Sequence, residues 1–259
     1  MIENKSTIKS LIISMILCLI YAIVCFIAKS TYHFEFIILI LLINYSYIKL
    51  STKINPPYRQ LEILIPLIAD LDIKQTLPNT RGFAASPDYL CSIKNIIKEK
   101  KPNLILEAGS GISTIISAYT LKKYGGGKII SLDHEKEYAQ QTVEELKKHG
   151  LEEYANVIYA PLKKYGDLIW YDYNLVNEDF SIDLFTIDGP PEKKGQINRY
   201  PAIPLMFDKL NENAIIILDD AKRKNEQLAI ELWLEEYSCF NYEYIDNDKG
   251  LAILRKKNA

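Results

Sequence analysis

The stretch Leu104-Ile-Leu-Glu-Ala-Gly-Ser-Gly-Ile-Ser-Thr114 constrains the fold of this 259-residue chain more than any other part of it. Three apolar residues, an acid, two closely spaced glycines, and then Ser113 and Thr114 opening an amphipathic run spell a buried strand, a tight turn and a helix N-terminus. Gly109 and Gly111 let the backbone turn sharply and approach a ligand closely, where a Cβ would hold it off. Glu107, two positions before the first glycine, is ill suited to a phosphate-binding loop. It suits a ligand carrying a cationic amine.

From residue 104 onward strands and helices are expected to alternate. The pattern predicts strands at about 104–107, 128–132, 156–159, 182–187 and 214–218, and helices at about 113–123, 135–148, 197–210 and 225–237. Ile129-Ile130 and Ile215-Ile216-Ile217-Leu218 are unbroken apolar runs, as expected where helices cover both faces of a parallel sheet. Gly125-Gly126-Gly127 closes the first of these helices. The tail differs: Phe240–Ile245 and Gly250–Arg255 are joined by a short Asp/Asn/Lys turn, which permits only an antiparallel pair. The fold class is therefore α/β, a Rossmann-like doubly wound sheet, mostly parallel, with an antiparallel terminal strand. Ahead of it, Ser86-Pro87-Asp88 reads as a helix start with a capping hydroxyl, and Leu90, Ile93, Ile96 and Ile97 give that helix one apolar face.

The first 55 residues read differently. Leu11 to Ala28 is an 18-residue run without charge, about the minimum to cross a hydrocarbon core. A second apolar segment, Phe34–Ile48, follows, with Asn44, Tyr45, Ser46 and Tyr47 suited to a membrane interface. Lys5 and Lys9 precede the pair, Lys49, Lys53 and Arg59 follow it, and the turn holds only Lys29. That charge distribution predicts a membrane-anchoring helical hairpin with both ends, and the following domain, in the cytoplasm. A cleaved signal peptide and a buried soluble hairpin are the alternatives. The expected organisation is an anchor over 1–55, a connector over 56–85, in which Pro56-Pro57 stops the preceding helix and Asn79-Thr-Arg-Gly82 turns, and a catalytic domain over 86–259. A formal net charge of −2 with no basic cluster excludes nucleic acid as the natural partner. Four scattered cysteines, with no CxxC motif, point to a reducing compartment, and Cys91 and Cys239 read as small buried side chains.

Ligands in open α/β sheets bind beyond the carboxyl ends of the strands. Acids stand at four of these ends: Glu107, Asp133, Asp188 and the pair Asp219-Asp220. Asp133 by itself would serve equally as a helix cap, but beside a Gly-Ser-Gly turn it is placed to take both hydroxyls of a ribose. A dinucleotide loop would read GxGxxG and leave its helix N-terminus free for pyrophosphate; here Thr114 takes the third glycine position, and Glu107 would repel a pyrophosphate.

Glu107-Ala-Gly-Ser-Gly-Ile-Ser-Thr114 followed by Ser131-Leu-Asp-His-Glu135 resembles the S-adenosylmethionine site of class I methyltransferases. Arg81-Gly-Phe-Ala-Ala-Ser-Pro-Asp88, Ile187-Asp-Gly-Pro-Pro191, Arg199-Tyr-Pro-Ala-Ile-Pro204 and Ile217-Leu-Asp-Asp-Ala221 are similar to a small bacterial-type subgroup of that family, over about residues 77 to 255. The resemblance implies that Glu107, Gly109, Ser110 and Gly111 hold the amino-acid end of the cofactor, with Ser113 and Thr114 at the helix start. It implies Asp133 on the ribose, His134 beside the adenine or simply at an exposed helix start, and Pro161 and Leu162 flanking the adenine ring. Asp188 would lie next to the methyl-bearing sulfonium, as the candidate catalytic residue.

Asp188, Asp219 and Asp220 also resemble the three-oxygen set of magnesium-dependent O-methyltransferases, although those use Asp-Asn where this chain has Asp-Asp. Hard oxygen ligands suit Mg²⁺. The alternative is that Asp219-Asp220 cap the next helix and bind Arg223 or Lys222. Arg199 is expected to pair with Asp188 or with an acidic acceptor, and Trp170-Tyr171-Asp172 either lie in a lid or pack against their own domain. The expected activity is methyl transfer from S-adenosyl-L-methionine to a small-molecule or lipid-linked O- or N-nucleophile. A non-catalytic sensor that binds the same cofactor and a nucleotide-dependent oxidoreductase are the rival readings.

Overall fold

The computed structural model describes residues 16, 19–21, 23–24, 26, 34–80, 84–176, 180–191 and 197–257. The chain divides into two compact units, Met1–Arg59 and Gln60–Ala259, where the sequence pattern had suggested boundaries at 55 and 85. Expectations for the run Leu11–Ala28, and for Arg81, Gly82 and Phe83 in the turn and motif before residue 86, fall largely outside the described residues.

In the first unit the described residues between 16 and 26 are helical, and helix α1 (Phe34–Asp70) begins. Ile38, Leu39, Leu41, Leu42, Ile43 and Leu50 are exposed. Among the described residues no helix is long and apolar enough to cross a membrane, so the second expected span, Phe34–Ile48, forms a helix but not a spanning one. The expected stop at Pro56-Pro57 is also corrected, because α1 runs through both prolines. Each proline removes one intrahelical donor. The helix tolerates two missing bonds in a run of 37 residues.

The second unit is built on a seven-stranded sheet. Its strands are β1 (Leu104–Ala108), β2 (Lys128–Asp133), β3 (Ala155–Tyr159), β6 (Ile182–Ile187), β7 (Leu210–Leu218), β8 (Phe240–Ile245) and β9 (Leu251–Lys256), in the order β3-β2-β1-β6-β7-β9-β8. The first five run parallel; β9 pairs antiparallel with both β7 and β8. This is the Rossmann-like sheet with a reversed end that the alternation predicted.

The unbroken apolar runs follow from burial on both faces, because successive side chains of a strand point to opposite sides. Ile105, Ile129, Leu184 and Ile217 pack into one cluster, with Tyr89, Ile93 and Ile97 of α2 (Pro87–Lys100) and Ile115 of α3 (Ile112–Tyr124). Leu106, Ile130, Phe185 and Ile216 pack into the other, with Ala202 and Met206 of α5 (Ala202–Met206) and Trp233 of α6 (Lys224–Glu236). Helix α4 (Lys136–His149) joins β2 to β3. At the start of α2, Ser86 makes no backbone cap. Its hydroxyl donates instead to Asp88, which also accepts from Gln60 Nε2 at 3.0 Å and from the backbone N–H of Asp248 at 2.8 Å.

Two expectations are revised. The helix predicted over 197–210 shrinks to α5, preceded by a turn and followed by a short 3₁₀ turn at Phe207–Lys209, because Pro201 and Pro204 each withhold a backbone donor. The insertion after β3 is a two-stranded hairpin, β4 (Leu162–Tyr165) and β5 (Leu168–Tyr171). Strand order reverses between β1 and β6: the chain leaves β1 toward β2 and β3, then returns to lay β6 on the other side. Such a reversal leaves a crevice at the carboxyl ends of the strands.

Candidate active site

At that crevice lies a cavity of about 1010 Å³, lined by residues that follow β1, β2, β6 and β7. The turn after β1 forms one wall. Gly109 has φ 103°, a left-handed conformation that favours glycine, and a Cβ there would press at 3.4 Å on the backbone of Asp188 and Gly189. The turn is pinned by two main-chain bonds, Gly109 N–H to the Leu132 carbonyl and Asp188 N–H to the Ala108 carbonyl, both at 2.9 Å. Gly109, Ser110, Gly111 and Ser113 all line the cavity.

Glu107 sits beneath this turn and is not among the lining residues. It is 2% exposed, and its Oε2 accepts from the hydroxyls of Thr114 and, at 2.6 Å, Ser131. Thr114 Oγ1 in turn accepts the backbone N–H of Gly111 at 3.0 Å. Glu107 and Thr114 therefore brace the loop and the first turn of α3 from below. Burial pushes the Glu107 carboxyl up to about 7, against the lowering influence of the hydroxyls of Ser131, Thr114 and Ser113.

Asp133 ends β2 and faces the cavity. Its Oδ2 accepts from Ser110 twice, the hydroxyl at 2.6 Å and the backbone N–H at 3.1 Å, while Oδ1 accepts the backbone N–H of Glu135 at 3.0 Å. Its carboxylate is thus held in one orientation at the tip of the strand. His134 lines the cavity beside it and meets the ring of Tyr171 edge-on, centroids 5.8 Å apart.

Pro161 and Leu162 do not line the cavity; Leu162 opens β4 and pairs with Tyr171 across the hairpin. The hairpin offers Tyr171 to the cavity in their stead. Trp170 and Tyr171 are both fully buried, so this segment packs on its own domain and is no open lid. Gly189 follows from that packing, since a Cβ on it would collide with the Tyr171 hydroxyl. Tyr138, Gln141 and Thr142 of α4 and Lys249 also line the wall and carried no motif that would have marked them in the sequence; Arg223, which lines it too, was marked only as a partner of Asp219-Asp220. Cys91 and Cys239 are free and half-buried.

Beyond the Gly109 turn, at the ends of β6 and β7, lies a charged cluster. Asp188 and Asp220 line the cavity, whereas Asp219 is fully buried behind them. One oxygen from each lies within 4.8 Å of the others, the convergence expected of a cation site. Arg199, 4% exposed, reaches into this group. Its Nη2 donates to Asp220 Oδ2 at 2.9 Å, to Asp188 Oδ1 at 3.2 Å and to the Asp188 carbonyl at 3.0 Å, and its Nη1 donates to the Asp219 carbonyl at 2.8 Å. Glu226 stands 3.5 Å from Nε. Arg223 pairs with the same Asp220 oxygen at 2.9 Å, as the helix-end alternative expected, while Lys222 pairs with Asp246 instead.

Among the described residues Asp219 has no hydrogen-bond partner on either oxygen, and Lys249 Nζ stands 3.9 Å away. Burial, with Asp188 and Asp220 alongside, pushes its carboxyl up toward the neutral form. Mg²⁺ needs near-octahedral oxygens at roughly 2.0–2.1 Å. Here two of the three candidate carboxylates are already engaged by guanidinium groups and the third is fully buried behind them, so the residues present do not fit Mg²⁺.

Residues 106–221 match the family model of a methyltransferase domain. A comparison with curated proteins finds no match. Among solved structures the chain is similar to an SAH-bound methyltransferase from Podospora anserina, with TM-score 0.54, 16% identity, and 76% of this chain and 88% of that one covered. It is also similar to the SAM-bound O-methyltransferase TomG of Streptomyces achromogenes, involved in tomaymycin synthesis (TM-score 0.53, 10% identity, 77% and 89% covered). An O-methyltransferase of Bacillus cereus in complex with SAH gives TM-score 0.52 at 15% identity, with 81% and 96% covered. At these identities the likeness is one of fold.

Proposed function

We propose that this chain is an S-adenosylmethionine-dependent methyltransferase that methylates an oxygen nucleophile on a small or lipid-linked acceptor. One observation carries the reading: the fixed Asp133 carboxylate and the Gly109–Gly111 turn share one cavity inside the stretch matched by a methyltransferase-domain model. The three similar structures described above are of methyltransferases with bound SAM or SAH, which supports the choice of cofactor over NAD(P).

When bound, the cofactor would supply a methyl group on a sulfonium whose leaving thioether needs no activation. The chain's own part is alignment and proton handling. Asp133 accepts the two ribose hydroxyls, with Ser110 keeping its carboxylate aimed. The backbone of Gly109, Ser110 and Gly111 gives the amino-acid end a close wall. Glu107 contributes from beneath, bracing the turn through Thr114 and Ser131 so that its backbone keeps its place against the cofactor. Asp188, next to that turn, accepts the proton of an acceptor hydroxyl as its oxygen attacks.

The apolar N-terminal run and the exposed Ile38, Leu39, Leu42 and Ile43 of α1 support attachment of the first unit to a membrane surface, with the lysine distribution favouring a cytoplasmic catalytic unit. A lipid-linked acceptor would suit such a tether.

Calorimetry of the full chain with S-adenosylmethionine, S-adenosylhomocysteine and NAD(P) tests the cofactor. Binding of the first two and not the last is expected; binding of NAD(P) alone overturns the reading. Transfer of labelled methyl from the donor into a cell extract distinguishes an enzyme from a sensor. A topology reporter fused after Lys53 that signals from the outer side would remove the cytoplasmic assignment.

A further inference from the structure

The carboxyl ends of β6 and β7 gather acids that would ordinarily draw a cation, and the chain supplies one of its own. We infer that the guanidinium of Arg199 stands where a divalent cation would otherwise bridge Asp188, Asp219 and Asp220, so that this site works without a metal and Arg199 positions Asp188 against the cavity. Asp188 and Asp220 each accept from Nη2, at 3.2 and 2.9 Å. The same side chain donates to the carbonyls of Asp188 and Asp219, at 3.0 and 2.8 Å, and so ties together the ends of two neighbouring strands. The planar guanidinium, with its divergent donors, thus reaches two carboxylates and two carbonyls at once.

Four acids (Asp188, Asp219, Asp220 and Glu226) face three cations, Arg199, Arg223 and Lys249. A dication entering the cluster would have to displace a buried guanidinium held on four oxygens. Trp233 holds the arginine segment from behind, its indole N–H donating to the Tyr200 carbonyl at 2.8 Å. The assignment of Asp188 rests on the proposed methyl transfer; the metal-free character of the cluster does not, because it is read without donor or acceptor.

Mn²⁺ is the probe, followed by electron paramagnetic resonance on the full chain. The wild type is expected to leave the free-ion signal intact with Mn²⁺ in excess, and Arg199→Lys to do the same. Arg199→Met uncovers the carboxylates and is expected to remove one equivalent of free Mn²⁺. Wild-type binding of Mn²⁺ that disappears in Asp219→Asn overturns the inference, as does a folded Arg199→Met that ignores the ion. Should Arg199→Met fail to fold, the wild-type titration still decides, and Arg199→Lys tests positioning. A lowered kcat with unchanged KM for the donor supports that role, and a change confined to melting temperature overturns it.

Discussion

Ser110 donates twice to one oxygen of Asp133, from its hydroxyl at 2.6 Å and from its backbone at 3.1 Å. The turn after β1 and the tip of β2, 23 residues apart in sequence, thus fix each other before any ligand arrives.

Asp133→Ala removes both the ribose acceptor and the anchor of the turn. Hydrogen bonds to a charged group contribute about 1.5–3 kcal/mol, so S-adenosylhomocysteine is expected to bind roughly 10- to 100-fold more weakly by calorimetry. Ser110→Ala, which leaves the backbone bond, is expected to cost less.

Gly189→Ala drives a methyl into the Tyr171 hydroxyl. Overpacking of this kind costs about 1–3 kcal/mol. Tyr171→Phe in the same chain is expected to return part of the lost melting temperature, and strict additivity of the two changes would contradict the contact.

Glu107 gives a pH signature. Its carboxyl is raised from 4.5 to about 7 by burial, so the folded chain favours the protonated form. The stability it contributes is therefore full below pH 4.5 and is lost as pH rises through about 7. The total is on the order of 3 kcal/mol at 1.36 kcal/mol per unit. Glu107→Gln should match the wild type in denaturant midpoint at pH 4.5 and exceed it at pH 8.

Trp233→Phe keeps most of the buried ring and loses only the bond to the Tyr200 carbonyl. A drop of about 1 kcal/mol is expected in urea unfolding, against about 3–5 kcal/mol for Trp233→Ala.

The parallel sheet was legible because its signal is local: Ile129-Ile130 and Ile215–Leu218 can be so apolar only if both faces are covered. The terminal hairpin was legible from its short connection. The β4–β5 hairpin was not, because Leu162-Lys-Lys-Tyr165 lacks strict alternation and its four-residue strands fall below what periodicity can resolve. Pro56-Pro57 misled in the other direction, since a local breaker was overruled within a long helix. In the site, Gly109, Asp133 and Asp188 were marked by their positions at strand ends. Glu107 was marked too, but the sequence could not tell a lining carboxylate from one that braces the loop beneath. The reach of Arg199 across 11 and 21 residues to Asp188 and Asp220 depends on the return of β6 beside β1 and left only a choice of partners.

Strand β9, the last of the described strands, lies between β7 and β8, and the turn before it ties back to Asp88. A strand made after all the other described strands is therefore an interior plank of the sheet. A stop codon ahead of Leu251 would strand β8 with no neighbour and strip β7 of one edge, leaving a product fit for degradation instead of a shortened enzyme.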